Sequence, residues 1–228
     1  MEKPKATVAP LHQMPFTRLE LAVMSLVDGQ LQVLLARRAE APAAGKWALP
    51  GGVLRTDADD SLELAAQRVS RERLNRELPF IRQLCAVGGK TRDPRASWTL
   101  SVVYRALVPV EGFKPVAGKR VEALAWRPVE DVIADKALAF DHAALIRRAV
   151  DVTRAEVRDL VLPFDFLPES FTLRELQIYC EQLLGHQLDK SSFRRRLAYE
   201  PRVEPIEGQM KGGAFRPAQL YRRHRDAR

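Results

Sequence analysis

Cysteine is scarce in this sequence: Cys85 and Cys180 are the only two among 228 residues. They stand far apart and show no metal-ligand spacing, which argues against a disulfide framework or a thiolate metal site and leaves two buried free thiols as the expectation. Long apolar runs are also missing. Nothing approaches the ~18 residues of a membrane-spanning helix, and Met1–Phe16 lacks the apolar core of a secretion signal. Residues 1–16 are therefore expected to be a flexible leader, and the protein is expected in the cytoplasm with no membrane partner. No internal repeat is visible. What remains is globular in composition, 46% hydrophobic and 29% charged, with a net charge of +8.

That charge is unevenly placed. Residues 189–228 hold eleven Lys and Arg against five Asp and Glu, so most of the excess sits in the last fifth of the chain and points to an acidic partner there.

Periodicity divides the chain into two. LELAVMSLV and LQVLLARR read as strands joined at Asp28-Gly29, a favoured hairpin turn. Trp47-Ala-Leu-Pro-Gly-Gly52 follows as a short strand ending in a glycine turn. Leu62, Ala65, Ala66 and Val69 recur at helical spacing within Ser61–Arg73. Strands are expected at 83–89, 98–108 and 121–127, and a long helix from His142 to about Leu160, His142 being read as a helix-start residue. The prolines of 162–168 break that pattern and mark a hinge. Beyond it, Thr172-Leu-Arg-Glu175 is a capping box opening a helix with Leu173, Leu176, Cys180 and Leu183 on one face, and Gly185 is a natural stop. Asp189 can cap a second helix over 190–198, with Phe193 and Leu197 facing inward. RVEPIE and AFRPAQLY then flank Gly208–Gly213 as a hairpin with a Gly-Gly tip. Helix, turn, helix, hairpin is the order of a winged helix.

Residues 51–76 resemble the Nudix box: Gly, five spacers, Glu, seven spacers, then Arg-Glu-aliphatic-x-Glu-Glu-x-Gly-aliphatic. In the intact motif one helix face presents glutamates that hold Mg²⁺ or Mn²⁺ against a diphosphate. Here Asp60 stands where the first Glu belongs, after two extra residues, and Arg68 is kept. Val69 replaces a metal-binding Glu, Glu72 is retained, Arg73 replaces the next Glu, and Asn75 and Arg76 replace the terminal pair. A divalent cation would lose anionic ligands and gain a repulsive neighbour, so hydrolysis through metal-bound water is expected to be crippled. Binding need not be, because a guanidinium can grip a diphosphate directly. No metal and no catalytic residue are expected. Weaker pocket candidates are Arg37, Arg38, Lys46, Trp47, Lys90, Arg92 and Tyr104.

In Asp189-Lys-Ser-Ser-Phe-Arg-Arg-Arg-Leu197, burial of Phe193 and Leu197 turns Ser191, Arg194 and Arg195 outward, a combination suited to phosphate and guanine contacts. Lys211 and Arg216 are the expected wing contacts, and Arg222, Arg223 and Arg225 can follow backbone phosphates.

The fused order of a degenerate Nudix box, FTLRELQ, LDKSSFRRRL and GGAFRPAQLY resembles the Nudix-related transcriptional regulators of NAD metabolism. The resemblance implies an α+β fold, a Nudix α/β/α sandwich over 17–160 followed by a winged helix-turn-helix domain over 161–228. It implies a homodimeric repressor of NAD biosynthesis or salvage genes that leaves double-stranded operator DNA when ADP-ribose or a related nucleotide binds. Gly51, Gly52, Arg68, Glu72 and Arg73 would then lie in the effector domain. Lys190, Ser191, Ser192, Arg194, Arg195, Arg196, Lys211 and Arg216 would face DNA. Two other readings compete: a weak nucleotide-diphosphate hydrolase using Glu72, Asp60 and Glu63, and a DNA-binding protein whose first domain is only a dimerisation scaffold.

Overall fold

The computed structural model describes residues 14–162, 164, 167–200, 202–212 and 217–224. Its first part is a seven-stranded mixed sheet flanked by helices. Strand β1 (Phe16–Val27) is its axis. It runs parallel to β6 (Thr99–Leu107) along one edge. On its other edge it pairs first with β4 (Gly51–Val53) and then with β2 (Gln30–Arg38). The β1–β2 turn has positive φ at both Asp28 and Gly29, 50° and 75°, the backbone of the hairpin turn that this dipeptide favours. Strand β2 continues to β3 (Trp47–Ala48) and β7 (Val121–Pro128), while β5 (Arg82–Gly89) closes the far edge against β6.

Strand β1 reads as a nearly unbroken apolar run because both sheet faces are covered. Leu19, Leu21 and Val23 pack with Ala65, Ala66 and Val69 of α1 (Leu62–Leu74). Ala22, Met24 and Leu26 pack on the opposite side with α2 (Val129–Ala134) and α3 (His142–Arg158). The six-residue α2 is an element that the periodicity did not reveal; it is too short to show a helical repeat.

The second part holds α4 (Leu173–Leu184), α5 (Lys190–Tyr199) and a hairpin of β8 (Val203–Lys211) and β9 (Ala218–Arg223). Thr172 and Glu175 form the reciprocal capping box, and Gly185 ends α4 in the left-handed region at φ 78°. Asp189 caps α5 by accepting from the Ser192 amide at 2.8 Å. The hairpin differs from expectation. Strand β8 runs through Gly208, whose φ of 71° lies where the register shifts between Pro205 and Met210. Gly208 thus serves an irregularity within a strand that runs on to Lys211, and of the expected Gly-Gly tip Gly213 lies outside the described residues.

The two parts share one apolar cluster. Leu176, Cys180, Leu183, Phe193 and Leu197 belong to the same buried group as Leu26, Leu31, Val129 and Ile146. Leu162 and Phe171 are buried in it as well. Both flanks of the expected hinge are therefore anchored, while Pro163 itself and residues 1–13 of the expected leader lie outside the described residues. No described helix is long and apolar enough to cross a membrane.

Candidate functional site

Two charged side chains interrupt the apolar run of β1. Arg18 and Glu20 point to one sheet face and form a buried ion pair at 2.8 Å. Burial opposes charge on Arg18, but the Glu20 carboxylate more than offsets it and raises the arginine pKa. Beside them opens a cleft lined by Arg18, Arg38 at the end of β2, Gly51 and Gly52 of β4, Arg73 of α1, Arg95 and Arg120. A side chain at position 51 could not be accommodated, since its Cβ would lie 1.9 Å from Glu20 Oε2. The bare backbone there lets the β4 turn lie against the buried pair.

Five guanidinium groups line this cleft, and each is held. Arg73 Nε donates to the Gly51 carbonyl at 2.8 Å and its Nη1 to the Lys119 carbonyl at 2.6 Å. Arg38 donates to the Pro42 carbonyl at 2.7 Å. Arg95 pairs with Asp93, and Arg120 with Glu40 at 3.1 Å. Burial lowers the pKa of Arg73, and repulsion from Arg120, Arg18 and Arg38 lowers it further. Arg38 is lowered likewise by burial and then by Arg18 and Arg95. Cations that depress one another across a cleft mark a place where an anion would be stabilised.

The same residues do not fit a divalent cation. Val69 is fully buried against Gly52, where a Cβ would meet Val69 Cγ2 at 2.7 Å. Glu72 is the carboxylate retained on that helix face, and Arg55 and Arg68 already pair with it at 3.0 and 3.3 Å. Arg73 adds positive charge beside it. Among the described residues, no group of three or more His, Cys, Asp and Glu could hold a metal ion. The box register also differs in detail from expectation. Asp60 is exposed, whereas Asp59 takes both Nε and Nη2 of Arg68, at 2.7 and 2.6 Å. The bidentate pair with Arg68 holds the Asp59 pKa low.

Of the effector residues expected from sequence, the cleft brings together Arg38, Gly51, Gly52 and Arg73. Arg68 and Glu72 belong to the ion-pair network behind it. Arg37 is exposed and pairs with Glu122 at 3.2 Å, because alternation along β2 turns it away from Arg38. Lys46 and Lys90 are exposed at loop and strand ends. Trp47 packs on the core beneath Arg127, 4.9 Å from its ring centroid. Tyr104 is buried on the α1 side and donates to Glu63 at 3.1 Å; burial and that carboxylate push its pKa up to about 12. The residues not anticipated are Arg18, Arg95 and Arg120. For Arg18 a signal existed, because a charged pair inside a two-sided apolar strand needs a special environment. His142 is indeed the first residue of α3, but it is also buried, and its Nδ1 accepts the Leu49 amide at 2.9 Å.

In the second part, Phe193 and Leu197 face the core, and Lys190, Ser191, Arg194, Arg195 and Arg196 are exposed on α5, with Ser192 half-buried. Two of the expected DNA contacts, both exposed, also have protein partners. Arg196 donates to the Arg158 carbonyl at the end of α3 at 2.5 Å. Lys211 bonds Glu175 of the capping box at 2.5 Å. In β9, Arg222 pairs with Glu204 at 2.7 Å and Arg223 stacks on Phe164. Arg216 and Arg225 lie outside the described residues.

A Nudix-type sandwich with an arginine-lined cleft, joined to a winged helix with a basic second helix, defines the class. Residues 17–149 match the NUDIX domain and residues 163–223 the NrtR DNA-binding winged helix domain. The chain is 36% identical over 208 residues to the ADPR responsive transcriptional repressor NtrR of Acinetobacter baylyi, covering 91% of this chain and 82% of that protein. The crystal structure of Shewanella oneidensis NrtR complexed with a 27mer DNA is similar at TM-score 0.74 and 34% identity, covering 91% of this chain and 93% of that one. The NUDIX domain of Shewanella oneidensis NrtR complexed with ADP ribose matches at TM-score 0.58 and 34% identity, over 64% of this chain and 94% of that one. The chain belongs to the NrtR family of Nudix-related transcriptional regulators.

Proposed function

We propose that this protein is a transcriptional repressor that holds operator DNA with its winged helix and releases it when ADP-ribose, or a related NAD-derived nucleotide, fills the arginine cleft. The observation that carries this reading is the cleft itself, where five guanidinium groups gather and one of them, Arg73, replaces a glutamate of the Nudix box. Such a site offers a diphosphate charge and bidentate donors, so no metal or other cofactor is required. The chain's own Arg73, fixed by two carbonyls, lines the cleft with N–H groups to spare for a ligand. With Glu72 already paired, hydrolase activity is lost.

On this reading residues 17–160 form the effector domain and residues 161–228 the DNA-binding domain. Ser191, Arg194 and Arg195 face the major groove. A homodimer sets two α5 helices on half-sites ~34–36 Å apart. The regulated genes are those of NAD biosynthesis or salvage. ADP-ribose acts by favouring a different placement of the winged helices, since a ligand indifferent to that placement could not change DNA affinity. The test is an electrophoretic shift on the protein's own upstream DNA, with ADP-ribose added in the presence of a chelator. Release without Mg²⁺ is expected. Binding that ADP-ribose leaves unaltered would reduce the Nudix domain to a scaffold, and Mg²⁺-dependent turnover abolished in Glu72→Gln would make the protein an enzyme.

A further inference from the structure

Helix α3 touches both sites. At its first turn, His142 Nδ1 accepts the amide of Leu49, and Leu49 and Pro50 line the arginine cleft. The preceding residue, Asp141, is clamped by Arg92 through two bonds of 2.8 Å. The amide of Ala139 donates to the Trp47 carbonyl at 2.9 Å. The start of α3 is thus tied to the strand and turn that form one wall of the cleft. Its 17 residues are unbroken, which places its other end about 24 Å away at 1.5 Å per residue.

That other end is fastened to the winged helix at two points. Arg154 Nε donates to the Leu183 carbonyl in the last turn of α4 at 3.2 Å, while its Nη2 pairs with Glu130 of α2 at 2.7 Å. Arg196 of α5 donates to the carbonyl of Arg158, the last residue of α3. Terminal carbonyls of a helix have no partner within it and lie at its negative pole, so a guanidinium is well suited to them. On α5, Arg195 lies opposite the Phe193–Leu197 face, while Arg196 lies on the flank turned to α3.

We propose that Arg196 is a positioning residue that couples the effector cleft to the DNA-reading helix. It fixes the orientation of α5 against α3, and α3 begins at the wall of the cleft. A displacement of the 49–52 turn on nucleotide binding moves the start of α3, and the Arg196–Arg158 bond carries that movement to α5. The inference rests on the repressor reading above and assigns to one residue of the basic run a task other than contacting DNA. The coupling is measured by how much one ligand changes affinity for the other.

The experiment compares wild type, Arg196→Ala and Arg196→Lys by fluorescence anisotropy on operator DNA over a salt series, with and without ADP-ribose, and by calorimetry for ADP-ribose alone. In wild type, ADP-ribose should weaken DNA binding by a factor in the usual range of ~5–150-fold. Arg196→Ala should keep its DNA affinity in the absence of nucleotide within about threefold and its ADP-ribose affinity unchanged, while the nucleotide's effect on DNA falls below about threefold. Arg196→Lys, which retains a donor, should recover part of it. A full nucleotide effect in Arg196→Ala overturns the inference. So does a loss of DNA affinity accompanied by a salt slope reduced by about one, the signature of a phosphate contact. A wild type indifferent to ADP-ribose removes the repressor reading, and this inference with it.

Discussion

Truncating Arg73 to alanine tests the chemistry of the cleft most directly. In the folded protein its guanidinium spends Nε on the Gly51 carbonyl and one Nη1 proton on that of Lys119. Of its five donors, about three remain for a ligand. Their orientation is fixed before any ligand arrives, so little side-chain entropy is lost on binding. A charge-assisted hydrogen bond contributes ~1.5–3 kcal/mol, so Arg73→Ala should weaken ADP-ribose roughly 10- to 150-fold at about 1.4 kcal/mol per decade. Arg37→Ala, on the outward face of the same sheet edge, should change it less than about twofold. The assay is isothermal titration calorimetry in chelator and again with Mg²⁺. Less than a threefold loss in Arg73→Ala would refute the idea that this arginine grips phosphate. A wild type that binds only with Mg²⁺ would refute the larger claim that guanidinium groups have taken over from the metal.

Other consequences follow from burial and pairing. Leu183 is fully buried in the cluster shared by both parts, so Leu183→Ala should cost ~2–5 kcal/mol and shift unfolding followed by Trp47, Trp98 and Trp126, all of which lie in the first part; an unshifted tryptophan transition would show the parts unfold separately. Arg195→Ala should weaken operator binding by ~1–3 kcal/mol and relax base preference, and equal affinity in the variant would remove it from the groove. Lys211 is engaged with Glu175, so Lys211→Ala should leave the salt slope of DNA binding as it was and cost at most ~1 kcal/mol of stability; a slope lower by about one would instead make it a phosphate contact. The pKa of His142 is lowered by burial, which outweighs the Glu20 carboxylate. The unfolded state therefore takes up the proton first, so stability conferred by the neutral ring is present above pH ~6.5 and declines below it, by up to ~1.4 kcal/mol per pH unit. Denaturant titrations of wild type and His142→Phe between pH 7.5 and 5 check this, and identical slopes would rule it out.

The parts of this molecule that were legible in the sequence are those governed by local rules. Asp28-Gly29 dictates its turn, Thr172 and Glu175 cap α4, Asp189 caps α5, and the short apolar runs on either side of Asp28-Gly29 announce β1 and β2, because each depends on residues within a few positions of one another. The loss of the box carboxylates was equally plain, since it is a matter of residue identity. The composition of the cleft was not. Arg18, Arg95 and Arg120 come from a strand and two loops far apart in the chain, and only the sheet register and the loop path bring them to Arg73. A helical box identifies where the ligand's phosphates belong but not which distant cations surround them.

The basic run of α5 shows why charge alone is a poor guide to contact. Arg194, Arg195 and Arg196 are adjacent, yet successive helical residues point about 100° apart, so three arginines in a row leave the helix in three directions. The buried pair Phe193 and Leu197 sets the zero of rotation. It leaves all three arginines exposed, with Arg196 on the flank where it reaches the end of α3. A sequence read for charge counts three DNA contacts, whereas one read for direction needs to know what lies on the flank of the helix. That neighbour comes from the other end of the fold, 38 residues earlier in the chain. The winged helix is consequently docked on the Nudix part both through apolar packing, which is indifferent to small rotations, and through directional bonds from Arg154 and Arg196, which are not. A rotation of the reading head too small to disturb the shared core can break those bonds. This makes the directional contacts, more than the core, the place where a nucleotide's influence on DNA can be stored.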